Sequence, residues 1–199
     1  MNIACLDFEG VLVPEIWISV AEKTGIADLR LTTRDIADYD VLMKKRLEVL
    51  AANNLTLKDI QKVIEKMKPM EGAKEFLDWL RSEYQVIILT DSFYEFINPL
   101  IQKLDRPTVF CHKLVTDKKG KIIAYELRQT DQKRKSVEAL RALNFKVISA
   151  GDSYNDLGML EAADTGIWFK APDNIVKQFP QFKTAKNYSE LKKQFTEFK

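Results

Sequence analysis

Short apolar runs alternate with amphipathic helical patterns along this chain, and the alternation constrains its fold more than any other feature. Four apolar runs have the length and composition of strands buried on both faces of a sheet. They are residues 3–6, 86–89, 147–150 and 166–169. Helical stripes of apolar residues lie between them, at residues 73–80 and 137–143. Because strands that alternate with helices form parallel sheets covered on both faces, the sequence predicts an α/β fold with a doubly wound parallel sheet.

A hairpin and a helical insertion depart from this alternation. Residues 108–116 and 121–128 flank the sequence DKKG, which predicts a hairpin or an adjacent pair of short strands. Between residues 13 and 68 there are only helical patterns, at residues 16–23, 39–53 and 58–67. We therefore predict a Rossmann-like core and a small all-helical cap inserted after the first strand: residues 1–12 and 70–199 for the core, and 13–69 for the cap.

Charge and cysteine content exclude several classes of function. The chain has 31 Lys and Arg against 29 Asp and Glu, so it has no general attraction for nucleic acid or for an anionic membrane. The first residues enter a strand pattern directly and no apolar run could span a bilayer, so we expect a cytoplasmic protein. Its two cysteines, Cys5 and Cys111, lie in strand patterns and are expected to be reduced core residues.

Carboxylates follow two of the predicted strands. Asp7 and Glu9 come directly after the first strand, and Asp152 and Asp156 follow the strand at residues 147–150. Ligands of doubly wound sheets bind beyond the carboxyl ends of the strands. Clustered carboxylates repel one another unless a cation offsets their charge, and oxygen ligands of this kind suit Mg²⁺. A solvated acidic loop at Asp7, and helix capping by Asp152 or Ser153, are the alternatives.

Two weaker signals fit a phosphate site at the same edge. Thr90 and Asp91 follow the strand at residues 86–89, where a hydroxyl and backbone N–H groups at a helix start can hold phosphate oxygens. Lys133 precedes a predicted helix and would screen the charge of a transferring phosphoryl group. Spacing alone does not separate Lys133 from Arg134. A helix cap would also explain the residues after the strand, and a basic helix turn on the surface is the commoner explanation for Lys133.

Two charged residues lie within apolar patterns of the predicted cap. Arg46 shares a helix face with apolar residues, and Glu15 lies within an apolar segment after the first strand. A cation among apolar residues is costly unless it meets an anion or reaches solvent past its apolar stem. One acid and one base suit a zwitterionic amino acid, whose carboxylate would pair with Arg46 and whose ammonium would pair with Glu15. Leu12, Met43 and Phe93 are candidates to line this pocket, although plain core is the commoner role for residues of this kind.

These motifs together resemble the haloacid dehalogenase superfamily of phosphotransferases over nearly the whole chain. The matching segments, in order, are DFEGV at residues 7–11, Thr90, Lys133 and GDSYND at residues 151–156. Within the superfamily the chain is most similar to phosphoserine phosphatases, and in particular to their phosphoserine–homoserine phosphotransferase branch. The opening CLDFEGVLVPE carries that similarity. Most members have Asp two residues after the nucleophile, whereas Glu9 is expected in this branch.

The resemblance implies a complete set of roles. Asp7 would form an aspartyl-phosphate, and Glu9 would act as general acid and base. Mg²⁺ would bind Asp7, the backbone carbonyl of Glu9 and Asp152, with support from Asp156. The phosphorylated amino acid would contact the remaining candidates, which are Glu15, Arg46, Thr90, Asp91, Lys133 and Asn155. The resemblance also suggests a homodimer.

Three questions about function remain open from the sequence. The acceptor of the phosphoryl group is either water or homoserine, because both reactions use the same motifs. The substrate of a related phosphatase could be another small phosphomonoester. A receiver-type signalling module, phosphorylated on Asp and read by a partner protein, is the rival from a different class. The helical insertion and the late GDSYND motif argue against the module.

Overall fold

The computed structural model describes residues 1–33, 35–36 and 38–198, and it is built around one seven-stranded sheet. Its strands, in chain order, are β1 Asn2–Leu6, β2 Gln85–Phe93, β3 Thr108–Thr116, β4 Ile122–Glu126, β5 Lys146–Gly151, β6 Thr165–Phe169 and β7 Lys183–Ala185. They lie side by side in the order β4-β3-β2-β1-β5-β6-β7. Every neighbouring pair is parallel except β3 and β4, which are antiparallel. The predicted mostly parallel sheet and its hairpin are therefore confirmed.

Helices connect the strands. They are α1 Ile16–Thr24, α2 Tyr39–Ala52, α3 Leu57–Ile64, α4 Ala73–Glu83, α5 Tyr94–Lys103, α6 Gln132–Ala142, α7 Leu157–Ala162, α8 Asp173–Gln178 and α9 Tyr188–Glu197, with short 3-10 helices at Ala27–Arg30 and Tyr154–Asp156. Within the described ranges, no helix has the length and apolarity that crossing a membrane requires.

Both faces of the sheet are buried, as the uninterrupted apolar strands predict. Successive residues of a strand point to opposite faces. Accordingly, Leu6 of β1 belongs to the core beneath α4 and α9, and Cys5 belongs to the core beneath α6, α7 and α8. Cys5 and Cys111 are both free thiols, and burial raises the pKa of Cys5 to about 12. The sheet is thus the middle layer of a doubly wound α/β fold.

The segment between β1 and α4 contains α1, α2, α3 and the first 3-10 helix. Its described residues form no strand, apart from a single bridge between Glu9 and Val13. Two local features fix its helix starts, because Asp38 caps α2 and a reciprocal Thr56–Asp59 capping box starts α3. The helical character predicted for this region is confirmed, and its division from the core as a separate cap domain stays a prediction.

The strand order locates the binding edge of the sheet. Chain progression runs outward from β1 to β2 and β3 on one side, and from β5 to β6 and β7 on the other. In open α/β sheets, ligands bind at the point where this order reverses, beyond the carboxyl ends of the strands. Here the reversal lies between β1 and β5, which end immediately before Asp7 and Asp152.

Candidate active site

Three buried carboxylates meet at the strand ends that flank the reversal. Asp7, Asp152 and Asp156 each place a carboxylate oxygen within 4.8 Å of the others. The backbone N–H of Asp7 donates to the carbonyl of Ala150, which ties the end of β1 to β5. Asp156 accepts hydrogen bonds from the backbone N–H groups of Asp152 and Ser153, so it orders the loop after β5. Asp7, Asp152 and Asp156 therefore form one buried cluster and do not lie in two solvated loops.

Two glycines permit the close approach of these carboxylates. Gly10 has φ +78°, and a Cβ built on it would lie within 3 Å of the Asp152 carboxylate. A Cβ on Gly151 would collide in the same way with the side chain of Asp156. Real Cβ atoms do not make contacts this short, so each carboxylate occupies space that any other residue type would fill.

Gly10→Ala is therefore expected to displace Asp152 and to reduce turnover by about 10²-fold, because misplacing a reacting group by about 1 Å has an effect of this size. Steady-state kinetics at saturating Mg²⁺ tests this, with Gly120→Ala as the matched control. Gly120 also has positive φ, at +79°, but among the described residues no atom beyond its two chain neighbours lies within 4 Å of its Cβ position. Equal loss of activity in both variants would mean that backbone strain, and not the space beside Asp152, requires glycine at position 10.

A buried lysine neutralises part of the cluster. The Nζ of Lys133 lies 2.8 Å from Asp7 Oδ1 and 2.7 Å from Asp156 Oδ1, and its side chain is 3% exposed. Burial opposes its charge, but the surrounding carboxylates raise the pKa of Lys133 well above its usual value. Arg134 instead pairs on the surface with Asp131 and Glu138. The structure thus separates the two residues that spacing left equivalent, and it is Lys133 that enters the site.

The Glu9 carboxylate lies apart from this cluster, although it is two residues from Asp7. Its Oε2 accepts a hydrogen bond of 2.8 Å from the backbone N–H of Ile16, at the start of α1. Burial raises the pKa of Glu9, while the Ile16 N–H and the charge of Arg46 oppose the rise. Glu9 is not among the side chains gathered at the acidic cluster. The Glu9 carboxyl group thus lies toward the start of α1, outside the acidic cluster.

Arg46 is buried in the wall of the same pocket, 7% exposed. Its guanidinium lies over the ring of Trp17 at 4.6 Å and donates from Nη2 to the carbonyl of Leu31. Its Nε is buried and has no hydrogen-bond partner among the described residues. The alternative in which the guanidinium reaches solvent is therefore wrong. Burial lowers the pKa of Arg46 to about 10, and the charges of Glu9, Tyr39 and Glu15 oppose the fall.

Glu15 faces the same pocket from the residue before α1. Its charge acts on Arg46, and its carboxyl group hydrogen-bonds that of Glu9. The pocket is completed by residues of α1, of the segment up to the start of α2, of the end of β2 and of the loop after β5: Trp17, Thr32, Thr33, Tyr39, Thr90, Asp91, Ser92, Asp152, Ser153 and Asn155. All the predicted site residues thus border one pocket or contact its walls. The other candidates, Leu12, Met43 and Phe93, are fully buried core residues, and none is among the residues that line it.

Comparison with known proteins agrees with this geometry. A family model described as haloacid dehalogenase-like hydrolase matches residues 1–164. The chain is 58% identical over 195 residues to a phosphoserine phosphatase of Pseudomonas syringae, covering 98% of this chain and 82% of the relative. It is 57% identical to the phosphoserine phosphatase ThrH of Pseudomonas aeruginosa, covering 98% and 95% of the two chains. The chain belongs to the haloacid dehalogenase-like hydrolases.

Solved structures support the same fold for this hydrolase. The phospho-aspartyl intermediate analogue of a phosphoserine phosphatase superposes with a TM-score of 0.76 at 20% identity, covering 98% of this chain and 97% of that one. An apo phosphoserine phosphatase gives a TM-score of 0.73 at 23% identity, covering 89% and 90%. Family membership makes the chain an enzyme, so the rival interpretation as a receiver-type signalling module is wrong.

The donor set fits the Mg²⁺ that the family implies. Asp7, Asp152 and Asp156 bring three carboxylates against the single positive charge of Lys133. Burial, followed by the negative charge of Asp156, raises the pKa of Asp7 well above its usual value. A divalent cation would offset the remaining negative charge, and carboxylate oxygens are its preferred ligands. The space that Gly10 leaves open holds the Asp152 carboxylate in this cluster.

Several pocket residues escaped the sequence analysis. Tyr39 donates its hydroxyl to the backbone carbonyl of Asp91 at 2.7 Å, which joins the start of α2 to the end of β2. The buried His112 lies behind Asp91, with its Nε2 3.6 Å from Asp91 Oδ1. For His112 the only signal in the sequence was a polar residue within the apolar strand pattern of β3. Long-range contacts of this kind have no local spacing that predicts them.

Proposed function

We propose that this hydrolase is a magnesium-dependent phosphotransferase acting on O-phosphoserine through an aspartyl-phosphate on Asp7. One observation carries the substrate assignment: a buried Arg46 with an unused Nε shares a pocket with Asp7 and Glu15. A buried donor without a partner is costly, and a substrate carboxylate would satisfy it. The names of the relatives at 57–58% identity agree with this substrate.

The first half of the reaction transfers the phosphoryl group to the enzyme. A carboxylate oxygen of Asp7 attacks phosphorus, the new O–P bond forms, and the bond from phosphorus to the serine oxygen breaks. Glu9 gives its proton to the departing serine oxygen, for which its raised pKa suits it. Lys133 and Thr90 would hold the phosphoryl oxygens, and the positive charge of Lys133 would offset their negative charge. Bound Mg²⁺ would be held by Asp7, Asp152 and the backbone carbonyl of Glu9, with Asp156 in support, and would supply charge neutralisation.

The second half returns the phosphoryl group to an acceptor alcohol or to water. Glu9, now ionised, takes the proton of the acceptor hydroxyl as its oxygen attacks phosphorus and the bond to Asp7 breaks. Because serine has the same ammonium and carboxylate groups as homoserine, Glu15 and Arg46 would bind either amino acid. We propose homoserine as the alternative acceptor to water, in agreement with the resemblance to the phosphotransferase branch.

Acceptor choice is tested by supplying both substrates. The enzyme is incubated with Mg²⁺, O-phosphoserine and increasing homoserine, and both inorganic phosphate and O-phosphohomoserine are quantified. A transferase produces O-phosphohomoserine at the expense of phosphate as homoserine rises. Phosphate release that is unaffected by homoserine would assign water as the acceptor and would leave the phosphatase half of the proposal standing.

Arg46→Ala is expected to raise KM for O-phosphoserine by about 10²-fold, since a charge-assisted hydrogen bond to a buried carboxylate is worth about 2–3 kcal/mol. Hydrolysis of an aryl phosphate that lacks a carboxylate should change little. Lys45→Ala is the matched control, because Lys45 is exposed on the same helix. If Arg46→Ala impairs both substrates equally, the amino-acid pocket is wrong and another small phosphomonoester is the substrate.

Two further predictions concern the cellular location and the oligomeric state of the enzyme. A cytoplasmic location and a homodimeric assembly both come from the sequence and its resemblance. Cell fractionation would test the first, and sedimentation equilibrium across protein concentration would test the second.

A further inference from the structure

His112 is the only histidine in the sequence and is 4% exposed, yet none of the proposed chemical steps uses it. It lies on β3 and lines a second cleft, which shares Tyr39, Asp91 and Asn155 with the pocket of Asp7. Its Nδ1 accepts a hydrogen bond of 3.1 Å from the backbone N–H of Arg128. An accepting ring nitrogen carries no proton, so the neutral imidazole carries its proton on Nε2.

That Nε2 faces the carboxylate of Asp91. The distance from Nε2 to Asp91 Oδ1 is 3.6 Å, and the same oxygen accepts a hydrogen bond of 3.2 Å from the side-chain amide of Gln132. The other oxygen of Asp91 accepts a bond of 3.0 Å from Asn155 Nδ2 and lies 3.8 Å from Lys133 Nζ. One carboxylate thus joins β3, the start of α6 and the loop after β5.

Asn155 is held on both sides by this arrangement. Its Oδ1 accepts from the hydroxyl of Ser153 at 2.6 Å, while its Nδ2 donates to Asp91. The contact with Asp91 defines which way the amide points, because exchanging its oxygen and nitrogen would place an acceptor oxygen against the Asp91 carboxylate. Asn155 lines the pocket of Asp7, and Lys133 contacts Asp7 itself. The direction of Asn155 therefore depends on where Asp91 is held, whereas Lys133 is held mainly by its shorter contacts with Asp7 and Asp156.

Attraction for the phosphate group does not explain a carboxylate at this position. Burial would raise the pKa of Asp91, but the charge of Lys133, the nearby His112 ring and the hydrogen bonds from Asn155 and Gln132 lower it below its usual range. An ionised carboxylate repels a phosphate dianion in the adjoining pocket. Toward the phosphoryl group, the favourable contribution of Asp91 comes from the donors that it orients.

We propose that His112 is a positioning residue: it holds Asp91, and through Asp91 it sets the direction of Asn155 for phosphoryl transfer. This inference rests on the proposed phosphoryl transfer at Asp7, but it does not require O-phosphoserine to be the substrate. It predicts that His112 affects the rate of the chemical step and not the affinity for substrate.

Two substitutions isolate the contact between His112 and Asp91. Gln places an amide nitrogen where the imidazole has Nε2, whereas Leu fills similar volume without a donor. Both remove the acceptor of the Arg128 N–H, so the difference between them reports only the contact with Asp91. We expect His112→Leu to lower kcat by about 10–100-fold, the usual effect of losing a residue that orients a ligand in an active site. We expect KM to change less than about threefold, because ground-state binding is spared.

His112→Gln should restore most of that kcat. Lys113→Ala, exposed on the same strand, is the control for substitution in β3 and should behave as the unmodified enzyme. Kinetics are measured with O-phosphoserine and in parallel with p-nitrophenyl phosphate, which uses the phosphate site without the amino-acid pocket. If the unmodified enzyme turns over only the aryl phosphate, the substrate proposal fails while the His112 test still runs.

The imidazole can also be observed directly, because one histidine gives one set of ring signals. Long-range ¹H–¹⁵N spectra of ¹⁵N-histidine-labelled protein should show that the neutral ring carries its proton on Nε2. The Nδ1-protonated tautomer would overturn the proposal, as would unchanged kcat in His112→Leu. Equal loss of kcat in the Leu and Gln variants would assign His112 a structural role only. A rise in KM at unchanged kcat would mean that the network contacts substrate directly.

Discussion

Asp7→Asn is expected to lose at least about 10⁴-fold in turnover, a loss of the size seen when the nucleophile of a covalent mechanism is removed. Asn is nearly isosteric with Asp, so the fold should be retained, but its amide is a far weaker nucleophile than a carboxylate. The measurement is phosphate release from O-phosphoserine at saturating Mg²⁺. Asp173→Asn, on an exposed residue in the first turn of α8, is the matched control and should keep full activity.

The same variant carries a stability prediction of defined sign. The pKa of Asp7 is raised in the folded protein. Above the unfolded pKa of about 4, ionising Asp7 is therefore less favourable in the folded protein than in the unfolded chain, which lowers the free energy of unfolding. In Mg²⁺-free buffer near neutral pH, Asp7→Asn should therefore unfold at the same or a higher temperature than the unmodified protein. A large fall in Tm would mean that the variant loses activity by unfolding, and the kinetic result would then say nothing of the nucleophile.

Glu9→Gln is expected to slow cleavage of O-phosphoserine by about 10²–10⁴-fold, which is the usual contribution of a positioned general acid. Gln cannot give a proton to the serine oxygen. p-Nitrophenolate needs no proton to depart, so the first step with p-nitrophenyl phosphate should remain fast. The second step still lacks its base, and the variant should show a rapid burst of p-nitrophenol followed by slow turnover.

The pH dependence of the first step follows from the pKa of Glu9. Burial raises this pKa above its ordinary value of about 4.5, so Glu9 keeps its proton at pH values where an exposed glutamate is ionised. In the pH range where Asp7 is ionised, cleavage of O-phosphoserine should fall as the pH rises through the raised pKa of Glu9. In Glu9→Gln this dependence should disappear. An unchanged pH profile, or equal slowing with both substrates and no burst, would assign the proton transfer to another group.

The positions of the main elements were predictable because they rest on local pattern. Uninterrupted apolar runs gave β1, β2, β5 and β6 within a few residues of their observed ends, and the turn sequence gave the pair of β3 and β4. The three-residue β7 was missed, since Lys183–Ala185 has no apolar run. Helix α5 was also missed; it contains Pro99, a residue that normally argues against a helix interior.

The candidate site was predictable to the extent that it follows strand ends. Asp7, Asp152 and Asp156 were found because a parallel sheet brings these ends together. The sequence could not separate Lys133 from Arg134, because they differ only in the direction of their side chains. Lys133 contacts the buried Asp156, whereas Arg134 pairs with Glu138 on the surface. His112 depends on contacts across 16 and 21 residues of sequence, to Arg128 and Asp91, which no periodicity encodes.

The central claim is that Asp7 becomes covalently phosphorylated, and acid quenching tests it most directly. Enzyme is mixed with Mg²⁺ and O-phosphoserine, stopped in acid within milliseconds, digested at low pH and mapped by mass spectrometry. We predict a phosphoryl group on the peptide that contains Asp7, lost on treatment with hydroxylamine as an acyl phosphate should be. Turnover with no phosphorylated peptide would contradict the account, and so would a phosphoryl group on any residue other than Asp7.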